Sequence, residues 1–179
     1  MASSRFVRTA KSVALAASIT TALVGLAAPA SAGGPIELQA LQLNAPILMR
    51  AGQQNMFSAF YRQRGAGTLP EGTPFTIQLP AGFVVDTTRD IVFRASTEGG
   101  LISMESACVA KVGTITCRTN EEIPGRTDAN ANELAIEVFV RVPTTPGDHT
   151  ASYTADPFNQ IPEKIETDNR ATRTIRVVV

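Results

Sequence analysis

Cys108 and Cys117 are the only cysteines of the 179-residue chain, within the stretch CVAKVGTITC. Eight residues separate them, too many for the C-x-x-C spacing of a redox-active pair. Two thiols without a neighbouring histidine also fall short of a metal-ligand set. The spacing fits a bridged hairpin instead. With Val112-Gly113 as a two-residue turn, Lys111 faces Thr114, Ala110 faces Ile115, Val109 faces Thr116 and Cys108 faces Cys117. The cysteines then fall on a non-hydrogen-bonded site, where Cα atoms lie about 4.5 Å apart, within the span of a disulfide. This register predicts a core-facing side of Cys108, Ala110, Ile115 and Cys117, with Lys111, Thr114 and Thr116 opposite. The bridge is expected to be structural and to contribute roughly 2–3 kcal/mol by restricting the unfolded chain.

The remaining reactive groups converge on no reaction. His149, the single histidine, sits between Asp148 and Thr150 after a Pro-Gly turn, with no G-x-S-x-G elbow to supply a nucleophile. It reads as a solvated turn residue. Glu121-Glu122, Asp86, Asp90, Glu163, Glu166 and Asp168 could furnish an acid/base pair, but no spacing singles out two of them. Residues 163–169, EKIETDN, are the first candidate for calcium, because loop carboxylates and carbonyls suit a hard cation; they lack the spacing of an EF-hand loop. The chain has no Trp, and its two Tyr, Tyr61 and Tyr153, fall on strand patterns and read as core. Phe57, Phe60, Phe75, Phe83, Phe93 and Phe139 likewise read as filling between sheets. No catalytic residue, cofactor or metal site is expected, and the function class predicted is not an enzyme.

These groups must be carried by strands, because two-residue alternation dominates the sequence. Ile36 to Ala40 alternates, then shifts parity at Leu41 and Leu43 as at a bulge. Met56 to Tyr61 is a second apolar run, followed by an expected polar loop, Arg62 to Gly67. Phe75, Ile77 and Leu79 form a strand ended by Pro80-Ala81-Gly82, and Phe83–Val85 and Ile91–Phe93 are shorter candidates. Leu134, Ile136, Val138, Val140 and Val142 share one face before the Pro146-Gly147-Asp148 turn. Thr150–Ala155 follows, and Ile175, Val177 and Val179 close the chain. Residues 119–133, with Pro124 and Gly125, read as loop. Seven or eight short strands separated by Pro and Gly turns, with no amphipathic helix between them, predict an all-β, immunoglobulin-like antiparallel sandwich.

The N-terminus has the layout of a secretory signal. Arg5, Arg8 and Lys11 precede an uncharged stretch over 12–29, and Ala30-Ser31-Ala32 offers a small-residue cleavage site. The apolar stretch is too diluted by Ser, Thr, Gly and Pro for a membrane span. The organisation expected is a signal peptide over 1–32 and a sandwich domain over 33–179. Cleavage takes three of the 16 basic residues and none of the 16 acidic ones, leaving 13 against 16 and a charge near −3. That balance excludes nucleic acid and anionic lipid as partners expected from charge.

Three patches in order carry a resemblance: Leu79-Pro80-Ala81-Gly82-Phe83, Gly113-Thr114-Ile115-Thr116-Cys117, and Glu166-Thr167-Asp168-Asn169 leading into the last strand. With the Leu134–Val142 strand they resemble a conserved repeat domain of bacterial surface proteins, to which the cell-adhesion-related domain (CARDB) is close. The likeness covers roughly residues 36–179. It departs in having one copy, and in Arg170 where the family often has a second Asn. The resemblance implies a scaffold or adhesion module at the cell surface or outside the cell. Its partner would be a protein or envelope component, with the oligomeric state left open. The expected binding surfaces are sheet edges or the loops 62–72 and 119–133. A second expectation is a protease inhibitor offering the basic stretch Tyr61-Arg62-Gln63-Arg64-Gly65 within residues 61–72, and a hydrolase ranks behind it.

Overall fold

The computed structural model describes residues 35–104, 107–126 and 130–179. The predicted signal segment and its cleavage site lie outside them. Alternation becomes strand wherever one face can be buried. In chain order these are β1 (Glu37–Asn44), β2 (Leu48–Arg50), β3 (Gln54–Arg64), β4 (Pro74–Gln78), β5 (Val84–Val85) and β6 (Val92–Thr97). They are followed by β7 (Gly100–Ser103), β8 (Cys108–Lys111), β9 (Thr114–Arg118), β10 (Asn132–Arg141), β11 (Gly147–Ala155) and β12 (Arg170–Val178). One sheet runs β1-β3-β10-β6-β7 with β5 also on β10; the other runs β2-β12-β11-β4-β9-β8. All pairs are antiparallel except β2 with β12. The expected sandwich is therefore present. Its strand count exceeds the expectation, and β2 and β7 are the strands with no sequence signal, being only three and four residues long, too short to show a periodicity.

The inner faces form one core. Phe57, Tyr61, Leu134, Ile136, Val138 and Val140 from the first sheet meet Phe75, Ile77, Ile115, Ala151, Tyr153 and Ile175 from the second. Each large apolar side chain buried there contributes about 1.5–3 kcal/mol relative to exposure. Tyr61 joins the sheets: its ring lies edge-on to Phe75 at 5.0 Å and to Tyr153 at 6.0 Å, and its hydroxyl donates to the Thr76 carbonyl at 3.0 Å. Burial pushes that hydroxyl's pKa well above its usual value. The predicted parity shift in β1 is a register break between Ala40 and Gln42.

Several expectations need correction. Arg62, Gln63 and Arg64 are not loop: β3 continues through them, paired to β1 on one side, while β10 pairs Arg62 and Gln63 on the other. A polar stretch remains strand there because two neighbours supply its backbone hydrogen bonds. Phe60 and Phe139 are only half-buried, whereas Phe57, Phe75, Phe83 and Phe93 fill the core as read. Val179 follows the end of β12 and is exposed. Among the described residues, 119–133 contains no helix, as expected of a loop up to β10.

Candidate functional site

The hairpin forms with the predicted register, Cys108 opposite Cys117 and Lys111 opposite Thr114, and Gly113 turns it with φ of 73°. The two cysteines are disulfide-bonded, their Cα atoms 3.9 Å apart. The expected core-facing side is only half realised. Ile115 and Cys117 on β9 are fully buried, but Cys108 is half-buried and Ala110 exposed. β8 is the last strand of its sheet, and its inner side opens onto a cleft instead of the core.

That cleft, about 620 Å³, lies between the margin of the first sheet at β6–β7 and the margin of the second at β8. Val85, Ile91, Val92, Phe93, Met104 and Ala110 give it apolar walls, with Cys108 beside the bridge. Thr87, Arg89, Asp90 and Ser103 supply its polar groups. The segment carrying them is shaped by Asp86. Its carboxylate accepts the Thr88 N–H at 3.0 Å and the Thr88 hydroxyl at 2.6 Å, so its pKa is held below the usual range. Arg89 pairs with Asp86 at 3.7 Å and places its guanidinium 4.2 Å from the centre of the Phe139 ring. Asp90 alone of the predicted carboxylates stands at the cleft without a shared role in this turn.

The opposite margin of the first sheet is closed. The Ala40 N–H donates to the Asp168 carbonyl at 2.9 Å, and the Leu38 N–H donates to the Glu163 carboxylate. The Glu37 carboxylate accepts the Lys164 and Ile165 N–H groups at 3.0 and 3.3 Å. The stretch read as a calcium candidate thus caps the β1 edge, a standard protection for exposed sheet margins. Asn169 adds bonds to Glu163 at 2.8 Å and Glu166 at 3.3 Å. Burial raises the Glu163 pKa to about 7, helped by the charges of Glu166 and Asp156, although the Leu38 and Asn169 donors pull the other way. Among the described residues, no group of three or more His, Cys, Asp or Glu side chains is placed to hold a metal ion.

The other predicted residues are scattered. His149 packs edge-on to Phe83 at 5.5 Å with Nε2 3.3 Å from the Thr145 carbonyl, and it joins no carboxylate pair. Glu121 and Glu122 line a smaller recess with Glu98. The two loops expected to present binding surfaces are locked to each other. Leu69 and Ile123 exchange backbone bonds of 2.8 and 2.9 Å. Gln63 donates to the Gly67 and Ile123 carbonyls, and Asn132 donates to Gln63 and to the Pro124 carbonyl. Gly125 lies so close to the 65–67 turn that a Cβ would fall 2.4 Å from two of its carbonyl oxygens. The inhibitor expectation fails here: Tyr61 is buried, and Arg62 to Arg64 are held inside a sheet, where a protease cannot bind them as an extended loop. The cleft itself is not legible in the sequence, since it is made by residues from three separate segments, 85–93, 103–104 and 108–110; only the Thr97 to Gly100 turn ahead of Leu101-Ile102 points to β7.

No family model matches the chain, and no curated protein matches it in sequence. Its fold is similar to that of solved structures. A CARDB domain from Pyrococcus furiosus, determined in solution, matches over 80% of this chain and 96% of its own, at TM-score 0.45 and 14% identity. The major pilin subunit BcpA of Bacillus cereus matches over 79% of this chain and 39% of its own, at 0.47 and 8%. The collagen-binding domain of a Staphylococcus aureus adhesin matches over 76% and 97%, at 0.44 and 9%. The likeness is one of fold, a sandwich of two β-sheets, and fold alone does not assign function.

Proposed function

We propose that this chain is an exported, non-enzymatic module that binds a polypeptide partner in the cleft between the β7 and β8 margins, in an adhesive or scaffolding role. The observation that carries this reading is the cleft. Its volume of about 620 Å³ falls in the range of binding sites, and its lining mixes apolar side chains with Thr87, Arg89, Asp90 and Ser103, which can anchor a polypeptide backbone. The Cys108–Cys117 bridge and the predicted signal sequence support an oxidising compartment outside the cytoplasm.

A displayed library of random peptides, selected against the disulfide-bonded chain, tests the reading. Ala110 is exposed at the cleft, so Ala110→Trp fills it without disturbing the core. Selection is expected to return peptides that bind the native chain at least tenfold tighter than the Ala110→Trp variant. No enrichment, or peptides indifferent to this substitution, overturns the proposal.

A further inference from the structure

The backbone of β8 has an unfilled side. The Arg118 N–H donates to the Ala107 carbonyl at 2.9 Å, which fixes 107/118, 109/116 and 111/114 as the hydrogen-bonded pairs of the hairpin. Cys108 and Ala110 between them direct their N–H and C=O groups away from β9. β8 ends the six-stranded sheet, so among the described residues no strand takes those groups up.

The two sides of this margin differ in chemistry. Inward lies the cleft beside Ala110 and Cys108, where Ile91, Val92, Phe93 and Met104 form apolar walls and Arg89 and Asp90 stand among the polar groups. Outward lies a second groove of about 330 Å³, lined among others by Val109, Lys111, Thr116, Arg118 and Phe158. Val109 and Phe158 are 58% and 62% exposed there. The groove has two cations and no carboxylate in its lining, on a chain whose predicted mature form is acidic. Arg118 is held at the groove by its bond to the Gly72 carbonyl at 2.8 Å.

We infer that β8 receives an extended partner segment as a further strand of the second sheet. That segment alternates apolar residues, which enter the cleft, with acidic residues, which meet Lys111 and Arg118. A strand sends successive side chains to opposite faces, so the two different sides of β8 read out as a two-residue pattern in the partner. Main-chain pairing supplies affinity and the alternate pockets supply selectivity. The inference rests on the cleft reading above and adds the partner's conformation and pattern.

The probes are the synthetic peptide acetyl-Ser-Val-Glu-Val-Asp-Val-Glu-Ser-amide, the same peptide with lysine at its acidic positions, and the isomer acetyl-Ser-Val-Val-Val-Glu-Glu-Asp-Ser-amide. Titrations are followed by amide NMR on the disulfide-bonded chain. The alternating acidic peptide is expected to bind at least tenfold tighter than the other two and to slow hydrogen exchange at Cys108 and Ala110. Ala110→Pro removes only an outward donor, a change tolerated on edge strands, and is expected to weaken binding at least tenfold. Lys111→Glu should shift preference toward the lysine peptide. Where a variant misfolds, N-methylation of the peptide's own valines makes the same test from the partner's side.

Equal binding of the three peptides, or binding indifferent to N-methylation, overturns the inference. Protection of Ala110 that appears on raising protein concentration alone identifies a second copy as the occupant and also overturns it. Where one of these outcomes overturns the inference, library peptides that still lose binding on Ala110→Trp leave the cleft reading standing. If they do not, both fail.

Discussion

Glu163 concentrates the energetics of the capped margin in one side chain. Its carboxyl bridges the Leu38 backbone of β1 and the Asn169 amide, and burial raises its pKa to about 7. The unfolded value is near 4.3. A folded pKa above the unfolded one means that the protonated form is the favoured native form. The stability this group contributes is complete below about pH 4.3 and is lost as pH rises through about 7. Since the side chain is only half-buried, solvent screening reduces the effect to about 1–2 kcal/mol. Urea unfolding at a series of pH values between 4 and 8.5 is expected to show a falling midpoint through this window, against the contributions of the other carboxylates. Glu163→Gln cannot ionise and should remove that component; an unchanged slope in the variant would exclude Glu163 as its source. The sequence singled out Glu163, Glu166 and Asp168 but gave them to a cation. Instead Glu163 accepts the Leu38 N–H of β1, 125 residues away, and the Asp168 carbonyl accepts that of Ala40, and no local spacing encodes such pairings.

The hairpin β8–β9 shows what is legible at the level of an element. Its register follows from local chemistry alone: a Gly at the turn and two cysteines that fit only a non-hydrogen-bonded pair. Which of its residues are covered depends on how far the other sheet extends, and β7 does not cover Ala110. The same limit explains β3. Gln63 is polar yet 1% exposed, because Asn132 and the carbonyls of Gly67 and Ile123 satisfy it, and Asn132 and Ile123 are 69 and 60 residues away in sequence. By contrast the alternation from Leu134 forms strand through Arg141, one residue short of the expected end at Val142, since a central strand buried on one face repeats its signal at Leu134, Ile136, Val138 and Val140. Replacing both cysteines by serine is expected to cost about 2–3 kcal/mol, read as a lower urea midpoint that adding reductant to the native chain reproduces. Equal midpoints with and without the bridge would mean that the hairpin is held by its packing alone.

For the whole molecule, the export reading rests on the first 32 residues, outside the described part of the structure. Fractionation of the native host with intact-mass analysis is expected to find a chain beginning at Gly33 and two hydrogens lighter than the reduced form, in medium or envelope fractions. A full-length, reduced chain in the cytoplasm would remove both the compartment and the oxidising environment that the bridge needs.

Among the described residues the margins of the sandwich are unequal: loop 163–169 seals β1, β2 and β7 end their sheets with three and four residues, and β8 stands open beside its cleft. A filament of copies joined sheet to sheet needs two receptive margins on every molecule, one to accept and one to offer. On the reading proposed above, the β8 margin takes one strand per copy, so partners engage it one to one.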